Sequence, residues 1–298
     1  LALFAFVSLA GARNADAQCV MCREAAASAS EETRSALNVA ILGLAAAPYG
    51  IAFAAAWSLL PGFRDGVRRY MKKHAYGNTV TDDLWSEIDA VSPRKLTGIA
   101  HDFTLQAGVP LITVTPTTEG GLSLTQSRFA LDETGAAGGS WQVPVLVLPA
   151  GQETANARRV VVRAGESVVV TASPGSVVNA GQTAYFRTLY RGEAFAALNA
   201  RYAKLSPDDQ LGLMNDVATL GNPGLEPMAD FLNLTLQLPV NADPVVLKLM
   251  IERLRGLDML YRGREGRNAY RAYARARCEP ILRQIGWDPV AGESDNVG

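Results

Sequence analysis

The chain has 298 residues, 28 Lys and Arg against 29 Asp and Glu, and a formal net charge of -1, so no basic footprint marks a nucleic-acid binder. Its length suggests about two domains on a prior of roughly 100–200 residues each. With only two histidines, His74 and His101, a histidine-built metal centre or a Ser-His-Asp triad has almost no candidates.

Residues 1–10 form an apolar run, followed by Ala15-Asp16-Ala17, an A-x-A site of small residues. The expectation is the h-region and cleavage site of a secretory signal; a first core helix is the competing reading. No initiator Met or positive n-region precedes the run, so a truncated or misassigned N-terminus is expected. Cys19-Val-Met-Cys22 is a C-x-x-C, readable as a redox pair, half a zinc site, or two thiols or a local disulfide. No second C-x-x-C completes a zinc site, and the third cysteine, Cys278, reads as a small core residue. Ser28 and Glu31 fit a capping box. From Ser35 to Phe63 there is no charge, and about 1.5 Å per residue carries that stretch across a hydrocarbon core of about 30 Å. Residues 35–62 are therefore expected to hold a transmembrane helix, against a buried Ala-rich helix of a soluble domain.

Phe63, Val67, Tyr70 and Met71 then recur at helical spacing, while Arg64, Arg68, Arg69, Lys72 and Lys73 lie mostly toward water. Gly77-Asn78 is expected to break this helix in a left-handed conformation, and Thr81 to cap a second one through Leu84, Trp85 and Ile88. Leu111–Thr115, Leu122–Phe129, Trp141–Leu148, Arg159–Val162, Ser167–Thr171 and Ala184–Leu189 read as short strands separated by Gly, Pro and Ser clusters, the pattern of a β-sandwich. From Arg191 the chain turns helical. Ser206-Pro207-Asp208-Asp209 and Asp243-Pro244 are strong helix starts, with a capping side chain, Pro at N1 and acids on the positive end. Their spacing is on the scale of HEAT-like helix pairs, without a true repeat.

Phe63, Arg64, Gly66, Tyr70, Lys73, His74, Tyr76, Gly77 and Asn78, followed by Asp83, Leu84 and Trp85, match the pattern F-R-x-G-x-x-x-Y-x-x-K-H-x-Y-G-N with a D-L-W segment. This resembles the end of the catalytic domain of the aminopeptidase N family, the gluzincin zinc aminopeptidases. Phe103 to Pro110 resembles the entry segment of that family's β-sandwich, W-T-x-Q-x-G-F-P, with Phe103 for Trp and Val109 for Phe. Val178 to Arg187 resembles the exit segment N-x-x-Q-x-G-Y-Y-R, with Ala184 for Gly and Phe186 for Tyr. Trp287-Asp288-Pro289 and Gly292 to Asn296 resemble the middle of its helical solenoid, whose later helices would have to cap an apolar end. The resemblance runs from about Phe63 to Gly298, C-terminal portion only.

The expected fold class is multidomain α and β. It has a signal-like segment and membrane anchor (1–62), terminal helices of a peptidase catalytic domain (63–100), a β-sandwich (101–190) and the truncated start of a HEAT-like helical solenoid (191–298). The resemblance implies zinc in the family and removal of N-terminal residues from peptides. That chemistry needs two imidazoles at i and i+4 with a Glu beside them. No H-E-x-x-H and no G-A-M-E-N occur here. The expected assignment is therefore no catalytic, cofactor-binding or metal-ligating residue in this chain, and no cofactor. His101-Asp102 reads as a metal pair or a solvent-facing turn, and His74 as a favourable charge at a helix C-terminus. Arg191, Arg253, Arg255, Arg264 and Arg267 read as solvated helix faces or as residues facing a substrate cavity. The expected partners are peptides and, through residues 35–62, a membrane, with no nucleic acid; the expected location is single-pass membrane. A membrane-tethered binding module, and a thiol-redox protein using Cys19 and Cys22, are the competing functions.

Overall fold

The computed structural model describes residues 62–131 and 138–286. The chain opens there with three helices, α1 (Phe63–Lys73), α2 (Thr81–Val91) and α3 (Thr97–Thr104). Phe63, Ile88 and Leu96 make their small core, with Val67, Leu84 and Trp85 against it. The contact face of α1 is rotated from the expected one: Met71 is exposed and Gly66 is buried. The reason is close approach, because a Cβ on Gly66 would sit 2.5 Å from the Ile88 Cα. Gly62 enters the helix at φ 99°, and a Cβ there would lie 2.7 Å from the Val91 carbonyl oxygen. The turn also differs from expectation. Tyr76, not Gly77 or Asn78, takes the left-handed conformation (φ 63°). Val80, not Thr81, is the N-cap of α2, with its N–H donating to Asp83 Oδ2 at 2.9 Å. Arg69 and Lys73 do not simply face water: both reach the buried Glu87, at 3.2 and 2.6 Å.

Seven strands follow: β1 (Val109–Pro116), β2 (Leu122–Phe129), β3 (Gln142–Leu148), β4 (Arg158–Arg163), β5 (Ser167–Val170), β6 (Val177–Val178) and β7 (Arg187–Tyr190). They form a four-stranded sheet in the order β5-β2-β1-β7 and a three-stranded sheet in the order β4-β3-β6. Ile112, Val114, Leu122 and Leu124 of one sheet share a core with Val143, Val145, Val147 and Val162 of the other. Trp141, just before β3, lies in that core as well. One pairing is parallel: β7 runs beside β1, with Leu111 opposite Arg187 and Val114 opposite Tyr190.

Five helices complete the described chain: α4 (Glu193–Ala200), α5 (Pro207–Gly221), α6 (Met228–Gln237), α7 (Pro244–Leu260) and α8 (Arg267–Ile285). Ser206 and Asp243 cap α5 and α7, each followed by Pro at the first helical position. The second face of β1 and β7 is also covered, since Leu111 and Leu189 pack with Leu220 of α5. The architecture is therefore α/β with a helical C-terminal region, and this corrects the expected fold class. No helix among the described residues is long and apolar enough to cross a membrane. The longest, α7 and α8, have 17 and 19 residues and carry charges throughout, whereas a span needs about 20 mainly apolar residues. The expected transmembrane helix and single-pass membrane location are withdrawn on that ground. Residues 35–61, where the span was expected, lie outside the described residues, as do the signal-like segment and Cys19 and Cys22; Gly62 is the cap of α1.

Candidate functional site

A group of buried polar side chains lies where β7 meets α5. It begins with the turn after β6, in the segment matching the exit motif. Asn179 is left-handed (φ 67°), and its amide closes the turn by accepting from Ala184 N and donating to Ala184 O, both at 2.9 Å. The 3-10 turn at Ala180–Gln182 aims the Gly181 N–H at Asp209 Oδ1, 2.7 Å away. Asp209 itself sits in the first turn of α5, where the Ser206 hydroxyl donates to its Oδ2 at 2.8 Å. About two turns further along α5, Asp216 accepts from Arg187 Nη1 and from the Thr188 N–H, both at 2.9 Å. Tyr190 extends into the core from the next inward position of β7. Its hydroxyl accepts from Val178 N at 2.8 Å and donates to Val178 O at 3.1 Å, joining β7 to β6 of the other sheet.

Burial dominates the electrostatics. It pushes the Asp216 carboxyl up to about 6, against the opposing pull of Arg187 and the Thr188 N–H. Asp209 is also raised by burial, with the Gly181 N–H working the other way. A cavity of about 10 Å³ lies between Gln182, Thr188, Tyr190, Asp209 and Asp216. That is room for about one water. The cluster can tie elements together and hold protons; it has no space for a substrate. Glu226, between α5 and α6, is a further buried acid at 5% exposure. Burial first, then the Asp230 charge, push it up to about 7, and Arg191 opposes them.

The candidates read from sequence are scattered. His101 is on α3 rather than in a solvent-facing turn, its Nε2 2.6 Å from Asp82 Oδ1. Asp102 instead accepts from the Gln142 N–H at 2.7 Å and anchors the start of β3. His74 is the C-cap of α1, its ring tilted against Tyr70. Arg191 donates to the Leu225 carbonyl at 3.1 Å. Arg253 reaches Asn215, and Arg267 makes a two-pronged pair with Asp258. Arg255 and Arg264 are exposed on α7 and in the turn after it. Cys278 is a half-buried free thiol whose pKa burial raises. The sequence reading missed Asp216, Glu226 and Asp258. The spacing of acids along a helix does not distinguish a buried acid from a solvated one.

Zinc, which the family resemblance implies, finds no fitting set of ligands among the described residues. One histidine is paired with Asp82, the other is tilted against Tyr70, and no group of three His, Cys, Asp or Glu among the described residues could hold a metal ion.

The described chain is an α/β body with a helical C-terminal part. Comparison with known proteins is specific. Residues 176–297 match the model of the ERAP1-like C-terminal domain. The chain is 26% identical over 240 residues to the Tricorn protease-interacting factor F2 of Thermoplasma acidophilum, covering 79% of this chain and 28% of that protein. It is 29% identical over 182 residues to the puromycin-sensitive aminopeptidase of Caenorhabditis elegans, covering 58% and 19%, and 25% identical over 235 residues to aminopeptidase N of Lactococcus lactis, covering 78% and 28%. From about Phe63 onward the chain corresponds to the C-terminal portion of the aminopeptidase N family. It spans under a third of the length of these relatives.

Proposed function

We propose that this chain is a non-catalytic C-terminal portion of an aminopeptidase of the aminopeptidase N type, a scaffold for a peptidase whose zinc chemistry belongs to residues not in this sequence. The observation that carries the reading is a pairing. The similarity extends over about four-fifths of the chain, yet its 298 residues contain two histidines and no H-E-x-x-H. A water-activating zinc site needs three protein ligands and an open position, with a Glu to accept a proton. In this reading residues 63–100 end the catalytic domain, 101–190 form a β-sandwich and 191–298 begin a helical solenoid. Removal of N-terminal residues from peptides is the work of the longer enzyme. The buried acids at β7 and α5 then serve as structural ties between the sheet and helical parts.

The test is to purify the full chain with zinc in the medium, measure bound metal, and assay an aminoacyl amide. The expected outcome is less than stoichiometric zinc and no turnover. One zinc per chain accompanied by turnover would overturn the reading.

A further inference from the structure

A second polar surface lies at one end of the two-sheet core, and neither the buried acids nor the family resemblance accounts for it. Side chains alternate along a strand, so alternate residues share a face. On β4, Val160 and Val162 pack on the shared core, and Arg158 continues their row at the point where it leaves the core. On β5, Val168 and Val170 face the same core; buried Ala172 continues that row between the exposed residues Thr171 and Ser173. Arg158, Thr171, Ala172 and Ser173, with Gly120 of the β1–β2 turn and Gln152 and Asn156 of the β3–β4 connection, line a groove of about 620 Å³. Small-molecule sites occupy about 300–1,000 Å³.

The chemistry of the lining is one-sided. Among the described residues it contains one cation, two hydroxyls, two amides and no carboxylate. The Arg158 side chain has no hydrogen-bond or ion-pair partner among the described residues. Gln152 Oε1 accepts from Asn156 Nδ2 at 3.1 Å, which leaves the Gln152 amide N–H groups and the Asn156 carbonyl oxygen for other partners. A planar guanidinium fork suits a carboxylate, and its single charge matches a monoanion. The surrounding hydroxyls and amides donate and accept alike, as the hydroxyl groups of a ligand do.

We propose that this groove binds a small hydroxylated carboxylate of the sugar-acid class. Arg158 pairs with the carboxylate, and Thr171, Ser173, Gln152 and Asn156 bond the hydroxyl groups. The assignment is independent of the aminopeptidase reading.

Calorimetric titration of the full chain with gluconate tests it, with glucose and acetate as comparison ligands. Gluconate is expected to bind saturably, and both comparison ligands at least about tenfold more weakly, the scale of losing a charge-assisted bond or a set of neutral ones. Arg158→Gln is expected to weaken gluconate by about tenfold or more, and Arg158→Lys by less. Arg158 is exposed, so both variants should keep the wild-type circular dichroism spectrum. No saturable gluconate signal, or unchanged affinity in Arg158→Gln, would overturn the proposal. Glucose binding as tightly as gluconate would overturn the carboxylate assignment, and acetate doing so would overturn the role of the hydroxyl groups.

Discussion

Gly66 shows how one missing side chain sets a helix pair. The α1 backbone can lie against Ile88 only because no Cβ intervenes at 2.5 Å from the Ile88 Cα. Backbone cannot swing aside as a side-chain tip can. Gly66→Ala is therefore expected to lower stability by about 1–3 kcal/mol despite its better helix propensity. A urea melt followed by circular dichroism checks this, and an unchanged or raised midpoint would refute the close-approach account. Asp216 is a second decisive residue. Its two oxygens satisfy both the Arg187 guanidinium and the Thr188 N–H in a buried position. Asp216→Ala orphans both donors and is expected to cost about 3 kcal/mol, with Asp216→Asn costing less because its amide oxygen still accepts one bond. Equal melting midpoints for the two variants would argue against that role.

Among elements, α5 and α7 owe their starts to short-range chemistry. Asp243 accepts from the Val245 N–H at 2.9 Å with Pro244 behind it. Asp243→Ala is expected to cost about 1 kcal/mol, read as a shift in the urea midpoint. The α5–α6 region carries a pH response of definite sign. Asp216 and Glu226 are raised in the folded state, to about 6 and about 7. The folded chain then binds their protons more tightly than the unfolded chain does. Their contribution to stability is fully present below the ordinary carboxylate pKa of about 4, and is lost as pH rises through 6 and 7. Glu87, held low first by its hydrogen bond from Lys73, acts the other way, and its contribution is lost only as pH falls below its ordinary value. Melts at pH 5 and pH 8 should show a higher midpoint at pH 5, and Glu226→Gln should reduce the difference. A midpoint that rises from pH 5 to pH 8 would refute the assignment of these two acids.

At the scale of the whole molecule, the helical part is not a separate layer stacked on the sheets. Tyr190, Ala194, Leu213, Phe231, Met250 and Ile281 belong to the same continuous core as the sheet valines. The family was legible because its motif residues have jobs that other residues fill poorly. Gly66 permits the close approach, Asn179 closes a turn at positive φ, and Arg187 meets Asp216. The candidate site was less legible, because Asp216 and Glu226 look in sequence like ordinary helix-surface acids and become special only when sheet and helices bury them.

Local sequence chemistry determined the approximate positions of β1 to β5, the caps at Ser206 and Asp243, and the lack of an H-E-x-x-H, since each depends on neighbours within a few residues, while β6 at Val177–Val178 was not expected and β7 begins three residues later than expected. Tertiary structure alone decided the parallel pairing of β1 with β7, the left-handed turn at Tyr76 rather than Gly77, and the burial of Glu87, Asp216 and Glu226. It also placed Arg158 in the lining of the groove. These outcomes depend on segments far apart in the chain meeting, and on the desolvation that follows, which no local pattern encodes.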